Sequence, residues 1–176
     1  MYLGTQVAPR NLSDLEVWAQ LGVNNICADP FEEDDEGNYK SINPHKWTDD
    51  ILEKHVELLN SKGLALDMVQ IPLSSRPLEE SQSPNIMLGK SPERDREIES
   101  ILNILSLCSK VGIPAVKYNM NIIGIPRSES EQGRGGSINS TFRWEKMDQN
   151  SPPGIAGILD IDTNWERIDY FLGKVV

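Results

Sequence analysis

The chain of 176 residues is long enough for one domain with a buried core, and its formal net charge of -10 argues against nucleic acid or an anionic membrane as a partner. Its two cysteines, Cys27 and Cys108, are too few for a disulfide framework, which suits a reducing compartment. The sequence shows no signal peptide and no apolar run of the roughly 20 residues that a membrane span needs. We therefore expect a cytoplasmic protein.

Apolar runs that alternate with amphipathic stretches predict four strands, each followed by a helix. The predicted strands are residues 2–8, 23–28, 64–71 and a fourth that begins at residue 113. The predicted helices begin at a capping residue, which is Asn11 or Ser13, then Thr48, then Ser91, then Asp162 or Thr163. The first three of these helices end at Gly22, Gly63 and Gly112. Repeated strand and helix units predict a parallel α/β sheet with right-handed crossovers, either open or part of a barrel.

Two long connections interrupt this alternation. Residues 29–46 are rich in Asp, Glu, Asn and Gly, which predicts an exposed loop, and the acidic run 32–36 is typical of a solvated face. Residues 72–90 are rich in Ser and Pro and also predict a loop. A complete eight-stranded α/β barrel needs about 250 residues. The chain ends within a predicted amphipathic helix, so we expect it to be a segment of a longer protein.

Polar residues stand at the ends of the predicted strands, where parallel α/β proteins build their sites. Gln6, Asp29 and Gln70 follow the first three strands and could bind sugar hydroxyls or cap the next turn. Lys117 and Asn119, two residues apart on the fourth strand, share one face of the sheet. That face is either the ligand-facing interior or a surface on which the lysine stem packs.

The loop after the fourth strand carries Arg127 and Arg134, the latter within the glycine cluster 133–136. Backbone amides there could bind an anion with help from Arg134, but the spacing favours the tip of a hairpin. The sequence contains neither a GxGxxG nor a GxxxxGK motif, so nucleotide binding is not indicated.

The histidines and cysteines do not indicate a metal site. His45 and His55 lack any ligand spacing such as HxxxH. His55 is expected to be a partly buried helix residue, whereas His45 lies in a loop and could line the cleft. Apolar neighbours indicate that both cysteines are core thiols rather than nucleophiles.

Several long strings in this sequence resemble the mannonate dehydratases, and together they cover essentially all 176 residues. They are KYNMNIIGIPR and GRGGSINSTFRW around the loop after the fourth strand, then LGVNNICADP, LDMVQIPLSSRP, NIMLGKSPERDREI and NWERIDYFL. The resemblance implies a TIM barrel of the xylose-isomerase-like type. It also implies a hydro-lyase of carbohydrate metabolism that converts D-mannonate to 2-dehydro-3-deoxy-D-gluconate and water during glucuronate catabolism.

The same resemblance implies iron(II) or manganese(II) as cofactor, held by histidines, a cysteine and an aspartate on later strands. Residues 1–176 are then the amino-terminal half of a single barrel domain, with about the first four strand and helix units. We expect this segment alone to bind no metal and to be inactive, and the catalytic residues stay unassigned. The residues expected to bind the sugar acid are Lys117, Asn119, Arg127, Arg134, Gln6, Asp29 and Gln70.

Alternatives stay open at this point. One is a sugar isomerase or epimerase on the same barrel, and another is a non-catalytic module that binds sugar acids. The acidic loop 31–47 is a poor lining for an anionic substrate unless it faces away from it. The expected partner is a small sugar acid, D-mannonate, and a homo-oligomer is compatible with the sequence.

Overall fold

A computed structural model describes residues 2–176 and shows an α/β fold. Four strands form a parallel sheet: β1 Gly4–Thr5, β2 Asn25–Cys27, β5 Ala65–Gln70 and β6 Ala115–Lys117. Four others form two antiparallel hairpins: β3 Phe31–Glu33 with β4 Tyr39–Ser41, and β7 Glu131–Gln132 with β8 Ile138–Asn139. The α-helices are α1 Leu12–Gln20, α2 Asp49–Ser61, α3 Pro84–Leu88, α4 Glu93–Val111 and α5 Ile161–Val175. No helix within residues 2–176 has the length and apolar content to cross a membrane.

The parallel sheet has the strand order β1, β2, β5, β6, so each strand lies beside the one that precedes it in the α/β alternation. A doubly wound sheet would reverse its order near the middle, where such folds bind nucleotides. The register pairs Gly4 with Asn25, and then Met68 with Ala115. The predicted parallel α/β layout is thus confirmed, and the sheet is wound in one direction.

One face of the sheet is buried beneath α2 and α4. Leu59 from α2, Val69 from β5 and Ile101 from α4 are all 0% exposed, and they belong to one continuous hydrophobic core. Burial of each such side chain contributes about 1.5–3 kcal/mol. The opposite face is more polar, since it carries Asn25 and Asp67, whose side chains form a hydrogen bond of 2.8 Å from Nδ2 to Oδ1. The buried face therefore fixes the sheet, while side chains on the polar face stay partly exposed.

Local signals at the helix ends decide where α1 and α2 begin and where the helices stop. Asn11 accepts a hydrogen bond from the backbone N–H of Asp14, and Thr48 does the same for Ile51, as predicted for caps. Gly63 and Gly112 adopt positive φ angles of 77° and 82° just past α2 and α4.

Two predicted caps are wrong. The hydroxyl of Ser91 donates to the carboxylate of Asp95 and caps no backbone N–H, because α4 begins only at Glu93. Helix α5 is capped by Asp160 rather than by Asp162 or Thr163, because the Asp160 carboxylate accepts from the Thr163 N–H at 2.8 Å.

The acidic connection after β2 is not only a loop. It forms the β3–β4 hairpin because Asp34 accepts hydrogen bonds from the backbone N–H groups of Glu36 and Asn38. Gly37 completes the turn with a φ of 81°. On the strands, the rings of Phe31 and Tyr39 stack with centroids 4.0 Å apart. The hairpin thus has one face packed on the core while its acidic side chains face solvent.

The connection 72–90 also contains short elements that the sequence analysis missed, namely a 3-10 turn at Leu78–Glu80 and helix α3. Helix α3 packs between α4 and α5, and its residues Ile86 and Met87 are buried. A helix of five residues is too short to show a helical hydrophobic repeat.

Residues 118–160, which we call the surface arm, connect β6 to α5. None of its residues is buried. The β7–β8 hairpin gives it local order, and Gly135 and Gly136 turn its tip with positive φ angles. The glycine cluster is therefore the hairpin tip that its spacing favoured. The arm contacts the connection after β5, where the Ile155 N–H donates to the Glu79 carboxylate at 2.8 Å.

Candidate functional site

The carboxyl ends of the four parallel strands meet around one cavity of about 160 Å³, which we call the inner lobe. It is lined by Gln6, Asp29, Gln70 and Lys117, one from the end of each strand. Gln6 and Lys117 are 111 residues apart in the sequence. The four side chains converge because the carboxyl ends of parallel strands all lie at the same end of the sheet. The expectation that polar residues at strand ends lie together is correct for these four.

Lys117 lies on β6 and Gln6 follows β1, which are the two edge strands of the sheet, and their side chains are nevertheless in contact. The Lys117 Nζ donates to the Gln6 Oε1 at 3.1 Å. Three strand spacings separate β1 from β6, which is roughly 14 Å in a flat sheet, and side chains there rise perpendicular to it. The contact fits a sheet that curls toward the face that bears these two residues. The inner lobe lies on that face.

Asp29 stands at the centre of this surface. Its carboxylate accepts a hydrogen bond of 2.7 Å from the backbone N–H of Gln70, which ties the end of β2 to the end of β5. Burial raises the pKa of Asp29, while the Gln70 N–H and the charge of Lys117 oppose that rise. A carboxyl group in this setting can accept hydrogen bonds from ligand hydroxyls.

A larger cavity of about 370 Å³, the outer lobe, adjoins the first and shares Asp29, Ser41 and Gln70 with it. Its further polar lining comes from Asn43, Ser74, Arg76, Glu80 and Gln82. Sequence reasoning missed these residues because they lie in segments predicted as featureless loops. The run of polar residues shortly after the third strand, from Ser74 onward, was the available signal.

The two thiols differ in their surroundings. Cys108 is buried in the core as predicted, and burial raises its pKa to about 11. Cys27 is only half-buried and lines the inner lobe, so its interpretation as a core thiol is wrong. Burial is nonetheless the main effect on Cys27 and raises its pKa, with Lys117 opposing the rise. Burial thus favours the thiol form of both groups.

The two histidines also differ in their surroundings. His45 lies away from the cavity, with its Nδ1 2.9 Å from the hydroxyl of Ser100 on α4. His55 is fully buried on α2, deeper than the sequence analysis expected. Its Nε2 lies 3.2 Å from the carbonyl oxygen of Ala28, directly behind the inner lobe.

Three predicted substrate contacts lie outside both lobes. The backbone N–H of Asn119 donates to the Leu73 carbonyl at 2.8 Å, so Asn119 follows the sheet beyond the cavity. Arg127 and Arg134 are exposed in the surface arm, where Arg127 donates to the neighbouring Pro126 carbonyl. Their roles as substrate contacts stay predictions.

A divalent metal needs several His, Cys, Asp or Glu ligands that converge on one point. Within residues 2–176, no group of three or more His, Cys, Asp or Glu side chains lies close enough to hold a metal ion. Asp29 and Cys27 stand near each other in the inner lobe without a third such ligand. The residues described here do not fit the metal by themselves.

Comparison with known proteins gives one informative result. No protein-family model matches the chain, and neither does any curated protein. Among solved structures, the chain is similar to a mannonate dehydratase from Streptococcus suis serotype 2, with a TM-score of 0.74 and 18% sequence identity. The similarity covers 99% of this chain and 49% of that structure, so the chain spans about half the length of the protein it matches. At this identity the likeness establishes a shared fold.

Proposed function

We propose that this chain forms the first half of a (βα)8 TIM barrel and that the complete barrel is a mannonate dehydratase. The observation that carries the proposal is the fold match, in which nearly the whole chain superposes on half of a mannonate dehydratase. The sheet supports it, because four parallel strands in sequential order, with a side-chain contact between Gln6 after the first strand and Lys117 on the last, fit half of a closed barrel.

The proposed reaction is the loss of water from D-mannonate, which yields 2-dehydro-3-deoxy-D-gluconate. In this proposal the ammonium group of Lys117 binds the substrate carboxylate, since an ammonium binds a charged acceptor more strongly than the neutral amide oxygen of Gln6. Asp29 and the side chains of Gln6 and Gln70 then orient the hydroxyl groups. The acidic β3–β4 hairpin is compatible with an anionic ligand, because its cavity-lining residues Tyr39 and Ser41 are uncharged.

Iron(II) or manganese(II) would supply stabilisation of the charge that develops as the proton beside the carboxylate leaves. The residues of this chain do not fit that ion, so we assign them only to binding and orientation of the sugar acid. Their proposed contribution is the fixed cavity wall that places the reacting carbons.

The test compares two proteins: the 176-residue chain, and the longest product of the reading frame that contains it. Each is incubated with D-mannonate and Mn²⁺ or Fe²⁺, and the products are analysed for a 2-keto-3-deoxy acid and for a ketose. We expect the 2-keto-3-deoxy acid from a protein that includes the second half of the barrel, and no turnover by the 176 residues alone. A ketose product would instead identify a sugar isomerase.

Substitutions in the longer protein sharpen the test. Lys117→Met should raise KM for mannonate by roughly 10- to 100-fold, because about 1.5–3 kcal/mol of charged hydrogen bonding is lost. Lys54→Met is the matched control, since Lys54 forms an exposed ion pair with Asp50 on α2 far from the cavity. Equal effects of the two substitutions would contradict the role of Lys117. Substitutions of Arg127 and Arg134 test the two predicted contacts of the surface arm in the same assay.

A further inference from the structure

His55 is a buried titratable group that the proposed reaction does not use. The His55 side chain projects from α2 and is 5% exposed. Its Nε2 lies 3.2 Å from the carbonyl oxygen of Ala28, and a carbonyl only accepts. The Nε2 atom must therefore carry the proton, which defines the neutral tautomer of the ring.

This hydrogen bond controls the peptide that leads to the site. The Ala28 carbonyl belongs to the peptide group that joins Ala28 to Asp29. The direction of this carbonyl therefore fixes the plane of the peptide group that precedes Asp29. Asp29 lines both lobes and accepts the Gln70 N–H. Without the His55 donor, a buried carbonyl would lack a partner, at a free-energy cost of about 1–3 kcal/mol. The peptide would then be held less firmly, by neighbouring bonds such as that from the Ala28 N–H to the Met68 carbonyl at 3.1 Å.

The ring of His55 also contacts the second wall of the cavity. Phe31 meets it edge to face, with ring centroids 4.9 Å apart and an interplanar angle of 88°. Phe31 in turn stacks on Tyr39, and both line the inner lobe. One side chain of α2 therefore supports the end of β2 with its N–H and the β3–β4 hairpin with its ring.

Burial keeps this support constant over the physiological pH range. It lowers the pKa of His55 to about 4, while the Ala28 carbonyl opposes that shift by favouring the protonated ring. Across pH 5–8 the ring is neutral and holds a single donor.

We propose that His55 is a positioning residue for this cavity: its Nε2–H sets the orientation of Asp29, and its ring sets the position of Phe31 and Tyr39. The proposal rests on the proposed function only for the identity of the ligand as a sugar acid. The geometric claim concerns this chain alone.

The first measurement uses the unaltered chain. A long-range ¹H–¹⁵N correlation spectrum resolves the two histidines and reports their tautomers. We expect His55 to show the Nε2–H tautomer throughout pH 5–8. A His55 ring that carries its proton on Nδ1, or that becomes charged near pH 6.5, would overturn the proposal.

The second measurement separates the two parts of the His55 side chain. His55→Phe keeps a ring against Phe31 but removes the donor, His55→Gln keeps a donor, and His45→Phe is the matched control. We expect solvent exchange of the Gln70 amide to increase about tenfold more than that of core amides such as Ile101 in His55→Phe, and much less in His55→Gln. The His45→Phe chain should behave like the unaltered one. Equal acceleration at Gln70 and Ile101 would indicate general destabilisation and refute the positioning role.

Neither measurement uses a sugar acid, so the two proposals can fail separately. If D-mannonate is not dehydrated but the Gln70 amide responds to loss of the donor, the function is wrong and the positioning role stands. If dehydration occurs and the Gln70 amide does not respond, the function stands and the positioning role is refuted.

Discussion

The packed layer of residues 4–117 and the surface arm of residues 118–160 are held together by different forces. In the layer, side chains of α2, α4 and β5 interlock in a core where Leu52, Leu59 and Ile101 are fully buried. In the arm, no residue is buried, and Ile158 is 95% exposed. Hydrogen bonds such as that between the Ser128 N–H and the Thr141 carbonyl give the arm its local form. The site of the molecule belongs to the layer, because a cavity needs walls that packing holds in place.

The largest expected effect distinguishes the two regions directly. Ile101→Ala should lower the free energy of unfolding by about 2–5 kcal/mol, because it removes buried methyl groups and leaves a cavity. Ile158→Ala, the same kind of change in the surface arm, should lie within about 0.5 kcal/mol of the unaltered chain. Denaturant unfolding of both variants measures the difference. Comparable losses of unfolding free energy in the two variants would mean that Ile158 is packed against other groups in solution.

The next effect concerns acid stability of the layer. His55 is neutral when folded, with a pKa of about 4, against an ordinary value of 6.5. The unfolded chain therefore binds a proton more readily, so stability is fully present above pH 6.5 and falls as the pH drops toward 4. His55→Gln should remove about 3 kcal/mol of this pH dependence, as measured by unfolding at pH 7 and pH 4. His45→Gln, which alters an exposed ring, is the matched control, and an equal loss of pH dependence in both variants would contradict burial of His55 as its cause.

A smaller effect is expected at the start of α2. Thr48→Ala removes the oxygen that accepts the Ile51 N–H at 3.3 Å, and should destabilise the chain by about 1 kcal/mol. Thr48→Ser keeps that oxygen and is the control. Equal unfolding midpoints for the alanine and serine variants would show that the cap contributes nothing.

The smallest effect belongs to the surface arm. Arg143 and Lys146 donate to the Glu131 carboxylate and lower its pKa to about 2. Because the folded pKa lies below the ordinary 4.5, the contribution is present above pH 4.5 and is lost as the pH falls toward 2. Arg143→Gln should raise the pKa of Glu131, as seen by ¹³C NMR titration, without a measurable shift of the unfolding midpoint. A shift of that midpoint would show that the arm shares the cooperativity of the layer.

The layer was also the region most accessible to prediction. Periodicity, the caps Asn11 and Thr48 and the stops Gly63 and Gly112 all act within one or two turns of chain, so they can be identified without tertiary structure. The β3–β4 hairpin was missed because charged residues hide its two aromatic positions, Phe31 and Tyr39, whose stacking appears only when the strands pair.

For the candidate site, too, prediction worked for residues of the layer better than for residues of the surface arm. The convergence of Gln6, Asp29, Gln70 and Lys117 was predictable because strand ends in a parallel sheet occupy fixed places. The positions of Arg127 and Arg134 were not, because a long loop has no periodicity that fixes its path. The role of His55 was also beyond prediction, since its partner Ala28 lies 27 residues away and offers only a backbone oxygen.

The bond between Lys117 and Gln6 has a consequence for selectivity. The Gln6 oxygen occupies one of the three N–H donors of the Lys117 ammonium, so the other two could reach a ligand in the proposed site. In the proposed function, a neutral sugar would offer this ammonium a further uncharged acceptor, whereas a carboxylate would offer a charged one, which binds an ammonium more strongly. We therefore expect the proposed site to discriminate in favour of acids over their neutral analogues.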